Sequence, residues 1–316
     1  MKGGLLMAQS TDINNSDHRE NGSGIINSLQ EKDYILWVRQ LLKSKTGTVG
    51  LLIVLGVVLL AIFAPYITPH EPDAMNAAER LSPPSFIEGG SGEHILGTDN
   101  VGRDIFTRIL YGTRISLFVG ITSVVVAGII GVTLGLIAGY FGGIVDNIIM
   151  RVVDAFLAIP NILLILVILA VFGPSLWTVI GVLGATNWVV YARMIRGEVL
   201  SVKEQEYVKA SKTIGTKNTA IIFKHILPNV MSTFIVISTL RVATTIILEA
   251  SLSFLGLGIQ PPQVSWGGML SDGRDYLATA WWISTFPGIA ITITVLGIIF
   301  LGDWLRDVLD PKSQNA

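Results

Sequence analysis

The 316-residue chain has no cysteine. That absence excludes disulfide staples, thiolate metal sites and cysteine nucleophiles together, and it leaves the compartment unreadable from redox chemistry. Charge is the second scarcity. Only 14% of the residues are Asp, Glu, Lys or Arg, while 51% are hydrophobic; a globular domain carries about a quarter charged. With a mean hydropathy of +0.61, so little charge does not solvate a globule of this size, and an integral membrane protein is the first reading. The net charge of −1 argues against a nucleic-acid partner, for which a clearly basic domain is expected. Catalytic signatures are missing as well. There is no G-x-x-x-x-G-K-[ST] loop, and no Gly-Lys dipeptide occurs, so ATP binding by that route is not expected of this chain. Neither H-E-x-x-H nor G-x-S-x-G occurs, and the four histidines, at 18, 70, 94 and 225, are too scattered to suggest a metal cluster. His94 reads as a polar loop residue. The opening MKGGLLMAQS is too short in apolar residues for a signal-peptide core.

What is present is apolar length. After a polar, Asn/Ser/Gly-rich start that reads as a disordered tail, six apolar stretches run over 48–67, 115–139, 153–173, 176–192, 231–254 and 281–302. Each is near the roughly 20 residues that span a bilayer. The pattern predicts an all-α polytopic membrane protein with six transmembrane helices. Its parts are an N-terminal tail to residue 47, a first span over 48–67, an extramembrane segment over 68–114, a core over 115–305 and a tail over 306–316. Segment 68–114 is too polar to enter lipid and too long for a bare turn.

Lysine and arginine set the orientation. With the N-terminus inside, the inner segments hold sixteen of these residues and the outer ones five, Arg80, Arg103, Arg108, Arg114 and Arg274. Both termini are therefore expected in the cytoplasm. Trp37 and Trp188 are then placed near the inner interface, and Tyr66 and the Trp281–Trp282 pair near the outer one. Gly131, Gly135 and Gly139, four apart on one face, with Gly128 close beside them, allow close approach of helix backbones; packing within the chain is the expected use, a subunit interface the other.

The largest inner loop, 193–229, carries EQEYVKASKTIGTKNTAIIFKHILPN (204–229). Tyr207, Ala210 and Ile214 recur at spacings of three and four, giving a short helix one apolar face. Lys209 and Lys212 flank it, and Gly215 follows at a natural helix C′ position. A second short helix is expected from about Asn218 to Ile226, ended by Pro228. The pattern alone leaves two readings open, an angled knob under the membrane or a basic helix lying on anionic headgroups.

Two charges interrupt the fifth stretch. Arg241 and Glu249, eight apart, differ by about 12 Å of rise and about 80° of rotation, so they face neighbouring directions. Intramembrane charges mark cavities or partners. Either residue is a candidate for a translocation path or gate; the alternatives are a structural ion pair or an outer-interface position for Glu249. Arg151 and Asp154, spaced i,i+3, are expected to form a local pair.

The stretch YVKASKTIG followed by HILPN resembles the cytoplasmic loop signature of ABC-importer permeases, Glu-Ala-Ala, three residues, Gly, then after nine more Ile-x-Leu-Pro. Ala210, Gly215, Leu227 and Pro228 match; Lys209 stands where the family has Glu, Ser211 where it has the second Ala, and His225 in place of the Ile. HILGTDNVGRDIFTRILYGTRISL (94–117), MRVVDAFLAIPN (150–161) and LEASLSFLGLGIQPPQVSWGGML (248–270) are similar to the C-type permease of dipeptide and oligopeptide importers, in that family's order. Nickel-chelate and oligosaccharide importers are similar too.

The resemblance implies a type I importer permease fold, and a coupling helix in which Glu206, Tyr207, Val208, Lys209, Ala210, Ser211, Ile214, Gly215, Leu227 and Pro228 dock on an ATPase. It implies a homologous second permease, two ATPase subunits that hold ATP and Mg, an extracytoplasmic peptide-binding protein, a peptide substrate and a bacterial plasma-membrane location. The chain itself is then a transport subunit without an ATPase site, cofactor or metal. The rival is an ion-driven secondary transporter; the inverted repeats expected of one are not found. A membrane scaffold or receptor would leave the loop signature without a purpose.

Overall fold

The computed structural model describes residues 40–309. Trp37, most of the N-terminal tail, the C-terminal residues from 310 onward and the placement of both termini lie outside the described residues. Within them the chain is helical, with a single isolated bridge, Thr98 to Asp104, and no strand. In chain order the helices are α1 (Lys45–Ile67), α2 (Ile105–Phe141), α3 (Gly143–Ala158), α4 (Asn161–Phe172), α5 (Leu176–Val202), α6 (Glu206–Thr213), α7 (Asn218–Ile221), α8 (Leu227–Phe254), α9 (Trp266–Gly273) and α10 (Trp282–Leu309).

Among the described residues, five helices are long and apolar enough to cross a membrane: α1, α2, α5, α10 and the continuous Asn218–Phe254 unit; a sixth crossing is reached only by counting α3 and α4 as one bent span. The apolar stretch 153–173 thus corresponds to no single straight helix. Its two parts meet at 86°, and Pro160 is the reason. Proline lacks the N–H that an uninterrupted helix needs and excludes helical backbone from the residue before it; Ile159 is accordingly extended, at φ −96° and ψ 128°.

The other helices outrun their apolar stretches. α2 begins at Ile105, ten residues before the hydropathy rises, because Asp104 caps it: its carboxylate accepts from Thr107 N at 2.7 Å. At 37 residues the helix is about 55 Å long, against a hydrocarbon core of about 30 Å. Residues 105–114, assigned from the sequence to the extramembrane segment 68–114, therefore form the first turns of this helix. Ser175 caps α5 in the same way, with Thr178 N as donor, and α5 runs on to Val202.

Packing rests on glycines. A Cβ on Gly131 would lie 2.4 Å from Tyr191 Cβ and 2.5 Å from the Trp188 carbonyl oxygen; on Gly135 it would meet the Ala192 carbonyl at 2.8 Å, and on Gly139 Val199 Cβ at 2.7 Å. The small-residue stripe of α2 is therefore spent on α5, inside the chain. Gly128 faces the Phe234 ring on α8. A second close crossing joins α1 to α10, where Gly47 meets Trp304 and Gly297 meets Ile53. Trp188 is buried beside Phe156, ring centroids 5.7 Å apart, and is a core residue, not an interfacial anchor. Trp282 is buried as well, its Nε1 donating to the Thr98 carbonyl at 3.1 Å. Of the expected outer belt, Tyr66 and Trp281 are exposed.

The two ends of the bundle differ. At one end, segment 68–104 folds over α9 through a buried charge network. Asp99 accepts from Val101 N and Arg103 N at 2.9 Å each and from Arg103 Nε at 2.6 Å; Arg103 and Arg108 both reach Asp272, at 3.0 and 3.4 Å. Gly102, at φ +82°, passes so close to Asn76 that a Cβ would sit 1.9 Å from its carbonyl oxygen. At the opposite end, Lys203 Nζ donates to the Gly139 carbonyl and Tyr140 Oη to Asn218 Oδ1, gathering α2, α5 and α7 around α6. Two cross-helix ion pairs lie on this side. Arg196 forks onto Asp146 at 2.5 and 2.6 Å, and Arg193 reaches Asp154 at 2.5 Å. The Arg151–Asp154 pair expected from i,i+3 spacing does not form: Asp154 turns to α5 instead.

Candidate functional site

α6 is eight residues long, and Val208 is its one buried residue. It is packed with Ile195, Val199, Val202, Ile221 and Ile226. Tyr207, Ala210 and Ile214 point the other way and are exposed, Ile214 at 81%. Tyr207 and Ile214 thus place two exposed apolar side chains beside Ala210 on one side of the helix. Gly215, at φ +80°, ends the helix in a Schellman motif: Thr216 N donates to the Ser211 carbonyl and Gly215 N to that of Lys212, each at 3.1 Å. Glu206 is exposed in the first turn. Ser211 Oγ donates to the Tyr207 carbonyl at 2.9 Å, and Tyr207 meets the His225 ring with centroids 6.0 Å apart. Lys209 pairs with Glu204 at 2.9 Å; the hydrogen bond from Lys209 holds the Glu204 carboxyl below the ordinary glutamate range.

The return strand of the hairpin departs from expectation. Asn218–Phe254 is one helix, carried through a π turn at Ile222–Ile226. Pro228 does not end it. It lies two residues past the π turn, inside the continuous helix, at the point where the bonding shifts from the π pattern of Leu227 N to the Ile222 carbonyl back to α. Leu227 is half-buried against the cluster around Val208, and Pro228 is exposed. Of the ten residues named from the sequence, Glu206, Tyr207, Lys209, Ala210, Ile214 and Gly215 share the exposed knob. Val208 and Leu227 hold it to the bundle.

The two intramembrane charges are not brought together. Arg241, half-buried, lines a cavity of about 310 Å³ at the α3–α4 bend, with Phe156, Pro160, Asn161, Thr186 and Asn187. No carboxylate lies within ion-pair distance of it among the described residues. Glu249 is 1% exposed and lies outside that cavity. Its Oε1 accepts from Ser253 Oγ at 2.7 Å and from Ser265 Oγ at 3.0 Å, while Oε2 has no hydrogen-bond partner among the described residues. Ser265 in turn caps α9, accepting from Gly268 N, so Glu249 ties the loop after α8 to the start of α9.

Against known proteins, residues 131–315 match the model of the binding-protein-dependent transport system inner membrane component, and residues 36–84 that of the N-terminal TM domain of oligopeptide transport permease C. The chain belongs to this family. It is 47% identical over 277 residues to the dipeptide transport system permease protein DppC of Alkalihalophilus pseudofirmus, covering 88% of this chain and 89% of that protein. To the oligopeptide transport system permease protein OppC of Bacillus subtilis it is 41% identical over 296 residues, covering 93% and 95%. A solved structure of the MetNI methionine ABC transporter shares the fold, with a TM-score of 0.51 at 20% identity over 64% of this chain and 96% of that one.

Sequence reasoning missed two features of this permease, both at the 68–104 end. One is the Asp99–Arg103–Arg108–Asp272 network, whose only local signal is the i,i+4 spacing of Asp99 and Arg103. The other surrounds His94, which is 5% exposed and bonded through both ring nitrogens, to Asp104 at 2.9 Å and Glu79 at 3.1 Å. Burial alone would lower its pKa, but the bonds to the two carboxylates outweigh burial and raise it; the bond from His94 in turn lowers that of Glu79. His70 lies against the His94 ring, centroids 4.8 Å apart. Two of the four histidines are therefore neighbours, across a separation no local spacing reveals.

The Glu249 geometry makes a prediction for the isolated permease. Glu249→Ala strands two buried hydroxyls and opens a void, with an expected cost of about 2–4 kcal/mol. Glu249→Gln keeps an acceptor oxygen toward both serines and should unfold within a few degrees of the wild type in detergent. An equal loss in both variants would mean that the charge, and not the acceptor, holds the loop.

Proposed function

We propose that this chain is the membrane-spanning permease subunit of an ABC importer that moves dipeptides or oligopeptides into the cell, with ATP hydrolysed on Mg in separate ATPase subunits. The observation that carries the reading is the exposed Tyr207–Ala210–Ile214 face of α6, on a short helix whose buried anchor is Val208, in a chain whose relatives are named dipeptide and oligopeptide permeases. A knob so held transmits force. An ATPase that closes on ATP drags α6, and the buried contacts of Val208 pass the movement to α2, α5 and α8. The α6 end is then cytoplasmic and the 68–104 end extracytoplasmic, facing a peptide-binding protein, in a multi-pass plasma-membrane protein with both termini inside. A homologous permease completes the bundle. Arg241, which pairs with no carboxylate among the described residues, offers the cavity at the α3–α4 bend a partner for a peptide carboxylate.

The test is ATPase activity of the complex, purified with its sister permease and ATPase subunits and mixed with the binding protein. Dipeptides or short peptides should stimulate hydrolysis several-fold; nickel chelates and oligosaccharides should not. Stimulation by those cargoes alone would contradict the peptide assignment. Uptake into liposomes driven by an ion gradient without ATP would contradict the importer class.

A further inference from the structure

One cluster of chemistry-bearing side chains serves neither coupling nor passage. His70, His94 and Asp104 each offer a ligand atom, and the three atoms lie within 4.8 Å of one another. They come from three places: the segment just past α1, the outer loop, and the cap of α2. Their hydrogen bonds dictate which ring nitrogens are free. His70 Nε2 is 3.1 Å from the Glu93 carbonyl oxygen; a carbonyl only accepts, so this nitrogen carries the hydrogen and Nδ1 carries the lone pair. His94 stands between two carboxylates, with Nε2 3.1 Å from Glu79 Oε2 and Nδ1 2.9 Å from Asp104 Oδ1. A neutral imidazole has a hydrogen for only one of them. The other contact sets a lone pair against a carboxylate oxygen and requires a cation between them, a second proton or a metal ion.

The surroundings suit a metal. Glu79 accepting from Nε2–H is the arrangement in which an outer carboxylate fixes the tautomer of a metal-binding imidazole and raises its basicity. Asp104 keeps its capping bond to Thr107 N through Oδ2, which leaves Oδ1 for a ligand bond. Bonds of about 2.0–2.1 Å in a tetrahedral zinc site place ligand atoms roughly 3.3 Å apart; the 2.9 Å between His94 and Asp104 is already close to that. His94 and Asp104 are buried and His70 is half-buried, so the site has a fixed floor and one side open to solvent. Two imidazoles and one carboxylate suit zinc, whereas calcium and magnesium prefer all-oxygen shells and no thiolate is present for softer ions.

We propose that His70 Nδ1, His94 Nδ1 and Asp104 Oδ1 form a three-ligand site for a divalent metal of the zinc class, oriented by Glu79 and completed by water. The metal joins the segment after α1 to the first turn of α2, and so fixes the first span to the second at the outer end of the bundle.

The experiment is zinc titration of the purified permease complex, carrying an affinity tag without histidine, against a fluorescent chelator. The wild type should hold one zinc more per chain than His70→Ala at zinc concentrations that saturate the site, with affinity at least tenfold weaker in the variant. His70 is half-buried on the open side of the site, and co-purification of the sister permease checks that the variant is folded. Glu79→Gln should retain the stoichiometry and weaken binding by about tenfold or more. Identical zinc binding by the wild type and His70→Ala, including none by either, would overturn the proposal.

Discussion

Ala210→Asp should reduce peptide uptake and recovery of the ATPase subunits by at least tenfold, while the sister permease still co-purifies. Ala210 lies on the exposed face of α6, and a carboxylate there must be desolvated without a partner when an ATPase covers it, at a cost of several kcal/mol. Lys209→Ala should be mild, because Lys209 and Glu204 are both largely exposed, at 59% and 64%, and surface pairs contribute little. Gly215 adds a purely conformational constraint: a Cβ there meets nothing within 4 Å, yet φ is +80°. Gly215→Val should therefore uncouple the complex through the backbone alone, and Gly215→Asn, which tolerates that region, should retain most uptake. If Lys209→Ala fails while Ala210→Asp works, the docking face is wrong and the helix rests on lipid.

The second large effect concerns the α2–α5 crossing. Gly131→Val should cost about 3 kcal/mol or more, the upper end for overpacking, because one obstacle is the Trp188 carbonyl at 2.5 Å, which cannot rotate away as a side chain would. Gly181→Ala, with nothing within 4 Å of its Cβ, is the control and should be neutral or slightly stabilising. Thermal unfolding of the solubilised permease should show a lowered transition, or no folded material, for the first and wild-type behaviour for the second. Equal stability of the two would mean that the glycine stripe does not set the distance between these helices.

Much of this was legible in the sequence, for physical reasons that also show where legibility stops. Hydropathy reports lipid contact, so it located the spans and missed what lies beyond the lipid. α2 begins at Ile105 because Asp104 caps it, and it tolerates Arg108 in its first turn because Asp99 and Asp272 receive that guanidinium. The bend at Ile159–Pro160 was written in the proline, but an apolar run of bilayer length overrode that local signal. Pro228 misled in the opposite sense: it falls just after a π turn, where the change of bonding register lets the helix run on through a proline. The exposed face of α6 followed from spacings of three and four. Its anchor did not, since nothing local distinguishes Val208 from its neighbours until Ile195, Val199 and Ile221 arrive from elsewhere. The partners of Asp154 and His94 depended on contacts across the fold in the same way.

The chain has no cysteine, so single cysteines test the central claim directly. With Ile214→Cys, a bifunctional thiol–amine cross-linker should join the permease to an ATPase subunit in inside-out vesicles, and the yield should change when ATP is added. With Glu88→Cys, at the opposite end, an impermeant thiol reagent should label intact cells, and no ATPase cross-link should form. Labelling of Ile214→Cys from outside intact cells, or its failure to cross-link while the complex remains assembled and active, would contradict the assignment of α6 as the surface through which ATP hydrolysis reaches the membrane.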